Sequence, residues 1–174
     1  MANSSKILQS AEDLVVQAHY YLKVRENQNR RGGYLTVLNW KRKEFVLCAK
    51  VGQVSKTKAW EHETMAREKA WRLVSHTGHE TSFESRDPVA EVRVYDESRM
   101  HYPVRTEQWG HWGGAVRGNR YVFSFSGFPE LLDEAMMFVL AIKHNDLSLP
   151  LVQERFGTVN RCLTPFLDHC GLST

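Results

Sequence analysis

His62 and Glu63 stand side by side in "KTKAWEHETMAREKAW", on the same face as Ala59, Ala66, Ala70, Leu73 and Val74 by the helical period. An imidazole there fits a packed histidine with one hydrogen bond, a pocket acid or base, or an axial ligand. A second set crowds one aperiodic segment: His101, Tyr102, Trp109, His111 and Trp112. Flat aromatic faces beside imidazoles suit a planar conjugated ligand. The same tryptophans suit equally an anchor for the loop or a buried subunit interface. Gly113 and Gly114 follow at once and would let backbone pass close to a partner surface. Further on, "SGFPELLDE" starts a helix, so the N–H groups of Ser126, Gly127 and Phe128 could receive an anion such as a carboxylate. The plainer role of Gly127 and Pro129 is to turn a strand into a helix. If His62, Glu63, His111 and Glu130 converge in one cleft, they could carry acid–base chemistry without a cofactor.

Other chemistry has less support. Ser124 and Ser126 lack a G-x-S-x-G elbow, and no P-loop, no G-x-G-x-x-G after a strand and no H-E-x-x-H occurs. His76 and His79 straddle a helix exit with no third ligand fixed by spacing, so no metal site is expected.

The elements that must hold these groups follow from periodicity. Ser10 and Asp13 resemble a capping box, and the apolar steps after them predict a helix over 11–26 that ends at "NQNRRGG", with Gly32 and Gly33 as terminators. "YLTVLNW" and "EFVLCAKVG" predict a hairpin around "KRK". Ser55 caps a predicted helix reaching Ser75, with Gly78 beyond it. "PVAEVRVYD" alternates as a strand, and the histidine- and tryptophan-bearing segment after it predicts a long loop. Ala115–Arg117 and Arg120–Ser126 form a second hairpin about Gly118-Asn119. A helix from Pro129 to Lys143 has Glu130, Asp133 and Glu134 at its positive end. Pro150, Gly157 and Pro165 punctuate one or two short helices in the tail. The expected fold is α+β: an antiparallel sheet of about five strands with covering helices.

The 174 residues suit a single domain (1–174), with a core over 11–143 and a helical extension over 144–174. A net charge of +3 comes from 23 basic and 20 acidic residues that interleave, which argues against a nucleic-acid partner. No apolar run approaches the ~20 residues of a membrane span. The N-terminal stretch lacks the layout of a secretory signal, and three cysteines without C-x-x-C spacing suit a reducing compartment. A cytoplasmic protein is expected.

"KTKAWEHETMAREKAW" together with "GHWGGAVRGNRYVFSFSGFPELLDEAMM" resembles the GlcG/HbpS-like family, often labelled a haem-degrading domain. The matching positions are Lys58, Ala59, Gly113, Gly114, Ser126, Gly127, Asp133 and Glu134, and the resemblance spans about 11–143. Where that family commonly shows Gly-Gly-x-Pro-Ile, Gly113-Gly114 here runs directly into Ala115-Val116. The resemblance implies a profilin-like sheet-and-helix layer in a homo-oligomer that holds haem, another tetrapyrrole or a small organic metabolite. The alternative on the same scaffold is a cofactor-free isomerase, cyclase or lyase with His62 or His111 as base.

Overall fold

The structure, a computed structural model, describes residues 4–76, 78–84 and 112–172. Its elements are α1 (Ser4–Glu26), β1 (Arg31–Asn39), β2 (Glu44–Gln53), α2 (Lys56–Ser75), β3 (Ala115–Arg117), β4 (Tyr121–Ser126), α3 (Glu130–Lys143), α4 (Leu149–Phe156) and α5 (Leu163–His169). The four described strands form one antiparallel sheet in the order β2-β1-β4-β3. The class is therefore α+β, as the sequence predicts. Four strands stand where about five were expected, and the candidate fifth, "PVAEVRVYD", lies outside the described residues.

Strand alternation builds two cores, one on each face of the sheet. Leu35 and Val37 of β1 and Phe123 and Phe125 of β4 point to the larger one, with α1, α3 and α5. Leu38 and Val122 point the other way and meet Ala70 and Leu73 of α2. Ser124 shares that second face, and its hydroxyl donates to the Ala66 carbonyl at 2.7 Å. The tail is no loose extension: Val152, Phe156, Leu163, Phe166 and Leu167 are buried in the larger core.

Several boundaries differ from the sequence reading, each for a local reason. α1 begins at Ser4, so Ser10 and Asp13 lie within it, and it ends where Asn27 turns left-handed (φ 51°). Asparagine tolerates that conformation, which frees Gly32 and Gly33 to enter β1. Ser55 does cap α2, its hydroxyl accepting from the Lys58 N–H at 3.3 Å. Ser55→Ala should cost about 1 kcal/mol of stability, read by urea unfolding.

The second hairpin turns one residue later than predicted. The Gly118 N–H donates to the Tyr121 carbonyl at 2.8 Å, leaving Asn119-Arg120 as the two-residue loop, and neither Gly118 nor Asn119 has positive φ. Asp146, fully buried after α3, shapes this turn instead. Its carboxylate accepts from the N–H groups of Arg120 and Tyr121, and its carbonyl accepts from the Asn119 N–H. Gly118 must be glycine because a Cβ there would lie 2.2 Å from an Asp146 carboxylate oxygen.

Candidate functional site

Three segments meet on the α2 side of the sheet, at the end where β4 runs into α3. β4 ends at Ser126, Gly127 and Phe128 make the link, and α3 opens after Pro129, which occupies the N-cap position without a side-chain cap. The segment 112–114, which leads into β3, is the third. The Gly113 N–H donates to a Glu130 carboxylate oxygen at 2.9 Å, so the tryptophan-bearing segment and the start of α3 are in contact. Trp112 keeps 43% of its surface exposed, while its carbonyl accepts from the Arg72 guanidinium.

Beneath this junction lies a buried ion pair that the residue pattern did not reveal. Lys69 of α2 donates from Nζ to the Phe125 carbonyl at 3.0 Å and stands 3.5 Å from Asp133 Oδ2. Asp133 in turn accepts from the N–H groups of Phe128 at 2.9 Å and Gly127 at 3.4 Å. Burial pushes the Asp133 carboxyl up to about 7, against the pull of Lys69 and of those two N–H donors. The same burial pushes the Lys69 ammonium below its ordinary value.

This arrangement corrects the expected anion site. The N–H groups of Gly127 and Phe128 do receive a carboxylate, but it is the protein's own Asp133, five residues on from Phe128. The role expected for the glycine pair changes with it. Gly114 adopts φ +117°, and a Cβ there would lie 2.8 Å from Asp133 Cβ and 2.9 Å from Lys69 Nζ. What the backbone approaches so closely is the ion pair, and a Cβ on Gly113 would meet Phe83.

His62 sits half-buried at the rim of the same junction. Its Nδ1 lies 3.4 Å from the Ser126 hydroxyl, and its Nε2 has no partner among the described residues. Burial, and next the nearby Lys69 charge, hold this imidazole below its ordinary pKa, with Arg30 and Lys58 acting in the same direction. Arg30 reaches the junction itself, donating to the Gly127 carbonyl at 3.3 Å. No family model matches the chain, and no curated protein matches it. Among solved structures it is similar to the crystal structure of Ybr137w protein, at 16% identity over 80% of each chain with a TM-score of 0.44. The functional reading therefore rests on the site itself.

The residues singled out in the sequence divide into three groups. Gly113, Gly114, Ser126, Gly127, Phe128 and Glu130 belong to this one junction, His62 joins its rim through Ser126, and Trp112 precedes it with its carbonyl on Arg72. Glu63 points elsewhere: it pairs with Arg67 at 2.6 Å, one turn along α2, and with burial it helps push the Tyr34 hydroxyl up to about 12. It is therefore not the carboxylate partner of His62. His101, Tyr102, Trp109 and His111 lie outside the described residues.

Sequence reasoning missed Lys69 and Arg30 and, though it placed Asp133 at the helix start, missed the partners that Asp133 holds there. A signal for Lys69 was present, since it falls three residues after Ala66 and four before Leu73 on the buried face of α2. His76 and His79 stack on each other at 5.7 Å, and His76 Nδ1 bonds the Arg72 carbonyl at 2.8 Å. Among the described residues no cluster of three metal-ligating side chains occurs.

Proposed function

We propose that this chain is a ligand-binding protein of the GlcG/HbpS kind, taking a planar, carboxylate-bearing organic molecule, a tetrapyrrole or smaller, at the His62–Ser126 junction. The observation that carries the proposal is the state of His62. One ring nitrogen is steadied by a hydroxyl, the other has no partner among the described residues, and the cations Arg30 and Lys58 stand near it. A steadied imidazole with its second nitrogen free is the arrangement that ligating histidines use. The two cations supply attraction for carboxylates. Sheet and helix layers in this order suit the profilin-like scaffold expected from the sequence, with a homo-oligomer in the cytoplasm as its setting.

Haem fits this residue set on the same grounds. His62 would hold its iron through Nε2, and Arg30 and Lys58 would meet its propionates. Bound there, the group would supply a redox-active iron.

The second reading, acid–base catalysis without a cofactor, draws on the lowered pKa of His62. It keeps the imidazole neutral near pH 7 and able to accept a proton. Glu130, held by the Gly113 N–H, would be the carboxyl of such a site.

Haem titration followed by the Soret band tests the first reading. A saturable shift is expected in the wild-type chain, weakened at least ~10-fold in His62→Ala, about 1.4 kcal/mol or more. Arg30→Ala and Lys58→Ala should weaken binding less, and more so at low salt. No saturable shift in the wild type removes the haem version. If a panel of planar carboxylates also leaves the melting temperature unmoved, the binding proposal fails as a whole. Turnover of a panel member, abolished in His62→Ala, would favour the catalytic reading.

A further inference from the structure

The outer face of α1 carries an apolar stripe that nothing in the described chain covers. Val16, Tyr20 and Val24 are 55%, 57% and 82% exposed, although the opposite face of the helix is buried through Ile7, Leu14, Ala18 and Leu22. Single exposed apolar side chains are ordinary on a protein surface. Three at steps of four residues, on one face of a helix whose other face already fills the core, form a surface of their own.

The charges around the stripe say what would cover it. Gln9, Asp13, Val16, Tyr20 and Lys23 are all exposed and follow each other at steps of four, three, four and three, the spacing of a helix–helix seam. Acid lies toward the N-terminal end of this seam and base toward the C-terminal end. An antiparallel second copy of α1, related by a twofold axis near Ala18, sets Val16 against Tyr20 of the other copy. The same register sets Asp13 against Lys23, and by symmetry Lys23 against Asp13. Glu12 then falls beside Val24. A twofold contact must be complementary to itself, and this seam is, in both its apolar centre and its charged ends. Parallel pairing would instead place Asp13 against Asp13 and Lys23 against Lys23.

We infer that α1 is a homodimer interface, formed by antiparallel packing of Val16 and Tyr20 with Asp13–Lys23 pairs at both ends. This surface is distinct from the tryptophan segment on which the sequence suggested an interface, and it does not depend on the proposed ligand.

Sedimentation velocity on the full chain over a range of concentrations tests it. The wild type should sediment as a dimer, or as a larger even assembly. Tyr20→Asp should halve its mass with an unchanged far-ultraviolet circular dichroism spectrum, because the position is exposed. Asp13→Lys and Lys23→Asp should each weaken association about tenfold, and Asp13→Lys/Lys23→Asp together should restore it. A monomeric wild type overturns the inference. So does an assembly that survives Tyr20→Asp but dissociates in Trp112→Ala. Dissociation by Tyr20→Asp without rescue in the charge-swapped double variant overturns the antiparallel register.

Discussion

Lys69→Met should cost about 3–5 kcal/mol, a large share of the total stability of a domain this size. Methionine keeps most of the side-chain volume but removes the cation. Lys69 is 2% exposed, and its ammonium serves both the Phe125 carbonyl and Asp133. Without it the Asp133 carboxylate stays buried with only the Gly127 and Phe128 N–H groups to hold it. The loss is then mostly the cost of keeping that carboxyl charged without its cation or of protonating it, since burial already pushes it up to about 7.

Adding Asp133→Asn should therefore recover much of the loss. An asparagine oxygen can still accept from the Phe128 N–H, and no charge is left behind. Urea unfolding of the wild type, both single variants and the double variant closes the cycle, with an expected coupling of at least ~2 kcal/mol. A Lys69→Met protein within about 1 kcal/mol of wild type would show that water reaches the pair. Gly114 lies against this pair and Gly113 bonds Glu130, so the pair also fixes the segment that presents Trp112. Variants that still fold should show altered ligand binding at His62 as well.

Helices and hairpins were legible in the sequence because they rest on periodic apolar positions and local caps. Ser55 stands before α2 where its residue type predicts, while Pro129, expected as the first residue of α3, takes the N-cap position one place earlier. The site was legible in part. His62 and Ser126 were identified separately, yet sixty-four residues separate them, and only the packing of α2 across β4 brings them together. The buried polar groups were least legible, because charge in a sequence reads as surface. Glu130, Asp133 and Glu134 all suit a helix N-terminus by their charge, and only one of them proves to cap the chain before it. Asp133 accepts from Gly127 and Phe128, Glu130 turns to Gly113, and Glu134 faces Asn160 in the tail. Asp146 was missed for the same reason. An aspartate after a left-handed Asn145 looks like a solvated turn, but it folds back under the β3–β4 hairpin.

Glu134 gives the clearest dependence on pH. It is buried on α3, with Oε1 accepting from the Asn160 amide at 3.1 Å. Burial pushes its carboxyl up to about 7 from 4.5, opposed by Asn160 and Thr81 and reinforced by Glu84 and Glu130. The folded pKa thus lies above the unfolded one. Between about pH 4.5 and 7 the folded chain holds more protons than the unfolded chain, so this group's contribution to stability falls as pH rises. Asp133 adds a fall in the same direction, while His62 and His144, whose pKa values burial lowers, add a rise. The sign for Glu134 is therefore read from a difference between two proteins.

Glu134→Gln keeps an acceptor for Asn160 and removes the charge. It should leave stability nearly unchanged at pH 4 and raise it at pH 8, by up to roughly 3 kcal/mol if the whole shift is expressed. Urea unfolding of both proteins across that range measures the gap. A gap that stays flat with pH, or that favours the wild type at pH 8, would mean that Glu134 is ionised without penalty in the folded chain. The link from α3 to the tail through Asn160 would then rest on a solvated carboxylate.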